Sequence, residues 1–304
     1  MTDTPDGIQR IDDSVDWFES NATGGGSGAL PFREVADGMW LQDIQYGTGN
    51  ALTVDTGDGL LQLDTGIAPA HAKGMIEKLR EDTDEPVTRI VYSHGHTAYN
   101  HGVVAWLADN ERRGDPAPTI IAHRNVLHRL QRYRETQEYL ERVTEWQFGF
   151  PINSVVGTHM FEILVDPDVT YIDELTLPTP RKIQLLHCHA ETDDGTALWF
   201  PDEGILYGAN ATIGSFPNIG SPLRSPRDPR AWADQLDAYL QLDVEVLIRE
   251  YGPEIRGADQ VRDMLTTVRD ALRWLRSETL ARMNAGMVIE DVVNDIEYPD
   301  EWAN

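Results

Sequence analysis

Cysteine is almost missing. Cys188 is the single one among 304 residues, so no intrachain disulfide can form and no cluster of thiolates can hold zinc. Any metal site must be built from histidine and carboxylate. Positive charge is scarce too: 25 Lys and Arg stand against 51 Asp and Glu, a formal net charge of −26. A negative potential of that size repels nucleic acid and anionic membrane surfaces. That disfavours a nuclease, and the acidity reads as a solubility feature of the kind found in proteins from high salt. No apolar run is long enough to cross a bilayer, and the N-terminus lacks a basic-then-apolar signal pattern. The expected location is the cytoplasm, with neither membrane nor nucleic acid as partner.

The chain is long enough to bury a substantial core. Residues 1–30 are polar and end in Gly24-Gly25-Gly26-Ser27-Gly28, a composition expected of a flexible leader. Short β-type segments are predicted at Met39–Tyr46, Asn50–Asp55 and Leu60–Asp64, the last two joined by a turn at Thr56-Gly57-Asp58-Gly59. A helix opening near Pro69 carries Met75, Ile76 and Leu79 on one face, and an apolar strand follows at Arg89–Tyr92. Beyond it the pattern predicts a helix at Val103–Asn110, a strand at Thr119–Ala122 and one helix from Asn125 to Val143.

The second half gives strands at Lys182–His187, Thr196–Phe200, Ile205–Gly208 and Val244–Ile248. Before the last of these, Asp228-Pro229 reads as N-cap and first helical residue, with Trp232, Leu236, Tyr239 and Leu240 along one face. From Gly257 a long amphipathic helix carries Val261, Leu265, Val268, Leu272 and Leu275 to about Ala285, and a short one bears Ile289, Val292, Val293 and Ile296. These stripes either cover the body of the protein or pair with another subunit. Strands with interspersed helices in both halves predict a layered α/β sandwich.

Two clusters carry chemistry. Tyr92-Ser93-His94-Gly95-His96-Thr97-Ala98-Tyr99-Asn100-His101 follows a buried-type strand and holds three of the nine histidines. A strand end opening into a loop turns His94 and His96 to the same side, and imidazole suits zinc, iron or manganese. The second cluster, His187-Cys188-His189-Ala190-Glu191-Thr192-Asp193-Asp194, also lies at a strand end. Glu191 either completes a His/His/carboxylate set or is one of three solvated turn acids.

Asp64-Thr65-Gly66, His94-x-His96, Glu191-Thr192-Asp193-Asp194 and Phe216-Pro217-Asn218-Ile219-Gly220-Ser221-Pro222, in this order, resemble the metallo-β-lactamase superfamily, and more narrowly its alkyl sulfatase-like branch. The resemblance covers roughly residues 35–297. It implies an αββα sandwich over residues 31–256 with a C-terminal helical extension at 257–304. There, Met283-Asn284-Ala285-Gly286 resembles the start of a dimerisation region that looks truncated, and a homodimer or heteromer through these helices is one expectation.

The resemblance also implies what has changed. The family's H-x-H-x-D-H motif here has Ala98 in place of its Asp and Tyr99 in place of its last His. The aspartate expected to bridge two metals aligns with Asn210, and the histidine of a late G-H-G turn aligns with Tyr251. The second metal site thus reads as dismantled, with His94, His96 and Glu191 left for one ion. Zinc is expected, with manganese or iron admissible. Asp64 would lie just behind the ligands, and His101 is either a substitute ligand or a loop histidine.

Tyr99, Tyr251 and Asn210 are the candidate catalytic side chains, the tyrosines as proton donors or hydrogen-bond partners. His123, Asn218 and Arg224 resemble positions facing the substrate. For His123 the alternative is capping the following helix, and for Arg224 a place among surface acids. The expected function is hydrolysis of a small anionic ester with one metal ion. The alternative is a catalytically degenerate relative acting as a binding or partner subunit.

Overall fold

The computed structural model describes residues 32–42, 49–96, 99–148, 163–220 and 224–299. The expected leader, the end of the predicted Met39–Tyr46 strand, and Ala98 lie outside them. The chain divides between Lys182 and Ile183 into two compact units.

In the first unit a seven-stranded sheet runs in chain order: β1 (Phe32–Ala36), β2 (Met39–Gln42), β3 (Ala51–Asp55), β4 (Leu60–Leu63), β5 (Val87–Val91), β6 (Thr119–His123) and β7 (Val169–Tyr171). The first four strands are antiparallel and the rest join in parallel. Tight turns serve the antiparallel part. At the β3–β4 turn Thr56 Oγ1 bonds to Asp58 Oδ1 and to Gly59 O, both at 2.6 Å. Parallel neighbours need crossovers, which are α1 (Pro69–Asp82), α2 (Val103–Arg113), and α3 (Asn125–Glu135) with α4 (Gln137–Phe148). A short strand, β8 (Glu174–Thr176), follows β7.

The helix predicted as one piece from Asn125 to Val143 is two. Thr136 closes α3 with φ −122°, and its hydroxyl and N–H both bond to the Arg132 carbonyl, at 2.7 and 3.0 Å. The core of this unit joins Leu60, Val87 and Ile90 of the sheet to Met75 and Leu79 of α1, Trp106 of α2 and Leu130 of α3. Each such side chain contributes about 1.5–3 kcal/mol on full burial.

In the second unit β9 (Gln184–Cys188), β10 (Gly195–Phe200), β11 (Ile205–Tyr207), β12 (Val246–Ile248) and β13 (Ile255–Arg256) are hydrogen-bonded in sequence order. Only β11 and β12 are parallel. Their crossover passes through a 3₁₀ turn, Ala209–Ala211, and α5 (Pro229–Tyr239). The predicted cap is present: Asp228 accepts the Arg230 N–H at 2.8 Å and Pro229 follows it. Trp232, Leu236 and Tyr239 are buried.

The long helix α6 (Ala258–Asn284) packs against α5 through a face on which Val261, Leu265, Ala271 and Leu272 are buried. Arg269 pairs with Asp237 at 3.1 Å and Arg273 with Asp234 at 3.2 Å across the same helix pair. A short α7 (Ile289–Asp295) follows, burying Val292 and leaving Ile289 and Val293 exposed. Among the described residues no helix is long and apolar enough to cross a membrane.

Candidate metal-binding and active-site residues

The histidine loop is pinned to the Asp64 turn before any ligand is considered. Asp64 follows β4 in the left-handed region at φ 55°, a conformation that aspartate tolerates better than most residues. Its Oδ1 accepts the Ser93 N–H and the Asn100 Nδ2 amide, both at 2.9 Å. Thr65 and Gly66 donate their N–H groups to the Tyr99 carbonyl at 3.0 and 2.9 Å, and Gly102 donates to Gly66 O at 3.0 Å. The loop is thus held at its start and its end by one tripeptide. Gly102 has no alternative: a Cβ there would lie 2.0 Å from Thr65 O.

Asp64 is 2% exposed and its Oδ2 has no hydrogen-bond partner among the described residues. Burial pushes its carboxyl up to about 7, against the opposing pull of the hydrogen bonds from Ser93 and Asn100.

His94 is fully buried, with Nδ1 2.9 Å from Ser93 Oγ. Its ring meets His96 edge to face at 4.7 Å and Tyr99 at 4.3 Å. The two imidazoles line a small cavity with Tyr92, Asn100, Leu130 and Val165. His101 turns inward, being 1% exposed, with a hydrogen bond to the Ile67 backbone, and burial lowers its pKa to about 4. His71, which the sequence reading left out, takes the Ile67 N–H on Nδ1 at 3.3 Å and is lowered to about 4 by the same cause. His123 accepts the Asn125 N–H at 3.3 Å, at the start of α3, and its ring lies edge-on to Tyr171 at 5.7 Å.

In the second unit Glu191 follows β9 and is half-buried. Its carboxylate pairs with Arg227, whose guanidinium also donates to the Asn218 carbonyl. Nothing in the local spacing singles out Arg227, which stands next to the Asp228-Pro229 cap. Asn210 is completely buried, donating Nδ2 to Thr192 Oγ1 at 2.6 Å and accepting from Cys188 Sγ at 3.4 Å. Both ends of its amide are therefore used inside this unit. It follows Ala209, which sits at φ 48°, a position where a methyl side chain is strained. Asn218 is exposed, while Arg224 and Tyr251 are half-buried.

The sheets, crossovers and histidine loop are those of a known superfamily. The chain belongs to the metallo-beta-lactamase superfamily, whose sequence pattern matches residues 45–249. Within it, the likeness runs to the alkyl sulfatase-like branch. The chain is 26% identical over 266 residues to a linear primary-alkylsulfatase of Pseudomonas sp. (strain ATCC 19151), covering 82% of this chain and 50% of that one. It is 20% identical over 286 residues to the alkyl/aryl-sulfatase BDS1 of Saccharomyces cerevisiae, covering 84% and 43%.

Among solved structures, the inverting sec-alkylsulfatase Pisa1 from Pseudomonas sp. matches with a TM-score of 0.75 at 20% identity, over 90% of this chain and 46% of that one. The metallo-β-lactamase FIM-1 of Pseudomonas aeruginosa, in its mono-zinc form, matches at 0.52 and 17% identity, over 79% and 94%. The chain spans about half the length, or less, of the curated relatives it matches.

Proposed function

We propose that this protein is a metal-dependent hydrolase of a small anionic ester, of the alkyl sulfate kind named for its relatives, and that it uses one divalent ion. The observation that carries the reading is the pair of strand-end imidazoles His94 and His96, 4.7 Å apart edge to face in a loop locked to Asp64. The donors proposed are these two imidazoles and the Glu191 carboxylate, a set whose chemistry fits zinc and admits manganese or iron. A bound ion would supply Lewis acidity and lower the pKa of a coordinated water.

The protein's own groups set the rest. Ser93 Oγ lies 2.9 Å from His94 Nδ1, a contact that restrains the ring and would leave Nε2 for an ion. Asp64 holds the loop that carries both rings. Tyr99, buried against His94, is assigned as hydrogen-bond partner or proton donor, with Tyr251 as a second candidate. Asn218 and Arg224 are assigned to the anionic head group, where a guanidinium can make a bidentate contact on an otherwise acidic protein.

The alternative reading is a catalytically degenerate binding or partner subunit. Asn210 spends both ends of its amide on Thr192 and Cys188, which fits the absence of a second ion under either reading. Elemental analysis of protein dialysed against zinc, manganese or iron, beside a His94→Ala/His96→Ala variant, tests the choice. About one ion per chain, lost in the variant, is the expected result and justifies screening alkyl sulfates. No ion in the native protein would move the assignment to the binding subunit.

A further inference from the structure

We infer that Arg227 is the positioning residue for the Glu191 carboxylate, and that it sets the affinity of that carboxylate for a metal ion. The inference rests on the reading of Glu191 as a metal donor. Within the second unit the Arg227 and Glu191 side chains are 8% and 17% exposed, so the pair is largely withdrawn from water. One guanidinium nitrogen donates to Glu191 Oε1 and the other terminal nitrogen to the Asn218 main-chain carbonyl. A planar fork with fixed donors suits this double contact, which a single ammonium reproduces only in part.

Three consequences follow from the chemistry. The Glu191 side chain has several rotatable bonds, and holding one oxygen on a buried guanidinium removes most of that freedom before an ion arrives. The contact engages Oε1, which favours coordination of a cation through one oxygen rather than both. The same side chain also ties the carboxylate to the segment carrying Asn218, so ligand and loop move together.

A guanidinium beside a metal site also repels the cation, and this is the effect that must lose if Arg227 orients Glu191. Its charge is already spent on the carboxylate, and partners behind a metal ligand commonly raise affinity 10- to 100-fold.

The test is zinc and manganese binding to the full chain by isothermal titration calorimetry, for the native protein, Arg227→Met and Arg227→Lys, with the folding of each variant checked by circular dichroism. The expected result is a Kd about 10- to 100-fold weaker in R227M, partly recovered in R227K, which keeps one charged donor for Glu191. A merely structural role would not produce that graded recovery in folded proteins. Equal or tighter binding by R227M, with the native protein binding normally, overturns the inference alone and makes Arg227 a competitor for Glu191. A native protein that takes up neither metal overturns the inference together with the function proposed above.

Discussion

Asn100 reaches back across 36 positions to place its Nδ2 2.9 Å from Asp64 Oδ1, the same oxygen that takes the Ser93 N–H. The loop bearing His94 and His96 is therefore closed at both ends on a single carboxylate oxygen, while Oδ2 stays buried. The geometry of the two imidazoles is set by this clamp and by the neighbours of the Asp64 turn.

The first prediction concerns pH. The folded-state carboxyl of Asp64 is raised to about 7 from 3.8, so between these values the native protein holds a proton that the unfolded chain has lost. Its contribution is fully present below about pH 4 and is lost as pH rises through about 7, on the order of 4 kcal/mol in all. His71 and His101, both lowered to about 4, act in the opposite sense and lose stability as pH falls from about 6.5 to 4. The native protein minus Asp64→Asn isolates the carboxyl. Urea unfolding at pH 5, 6, 7 and 8 should show this stability difference falling with pH, and a flat difference would refute the assignment.

The second prediction separates two glycines. At Gly102 a Cβ would lie 2.0 Å from Thr65 O and 2.6 Å from Ala72 Cβ, whereas at Gly74, within α1, it meets nothing within 4 Å. Gly102→Ala should destabilise by about 3 kcal/mol or more, because main chain has to move. Gly74→Ala should stabilise by up to about 1 kcal/mol through helix propensity. Thermal melts of both variants would check the contrast, and a tolerated Gly102→Ala would mean that the loop is not fixed by the Asp64 turn.

The third prediction addresses Asn210. Its amide donates to Thr192 Oγ1 from a completely buried position, and Asn210→Asp would replace that donor by an acceptor carrying charge. Metal-free N210D should lose about 1–3 kcal/mol, more at pH 8 than at pH 5, because only the ionised form has to be desolvated. Chemical denaturation at the two pH values measures it. Equal stability to the native protein would show that the site still accommodates the family's acid.

Much of the frame was legible in residue order. The β3–β4 turn, the Pro69 start of α1, the Asp228-Pro229 cap of α5 and the length of α6 follow from local rules: turn chemistry, fixed proline φ, side-chain capping and a 3.6-residue apolar period. The strands β1, β7, β8 and β13 escaped because they are short and largely outside the core, whereas the equally short β11 and β12 are apolar and mostly buried. The break at Thr136 escaped because the apolar residues Leu130, Tyr133, Leu140 and Val143 keep a helical spacing across it.

The sequence alone determined which groups are available: two imidazoles in an H-x-H pair at a strand end, a carboxylate at another strand end, and neutral side chains at Tyr99, Asn210 and Tyr251. These are matters of identity and local spacing. The tertiary structure decided what each group is bonded to. It put Asn100 and Ser93 on one oxygen of Asp64, turned His101 onto the Ile67 backbone, used up both ends of Asn210, and brought Arg227 to Glu191 across 36 residues. Such pairings depend on how packed elements bring distant parts of the chain within a hydrogen bond's reach of about 3 Å, and no local pattern encodes that.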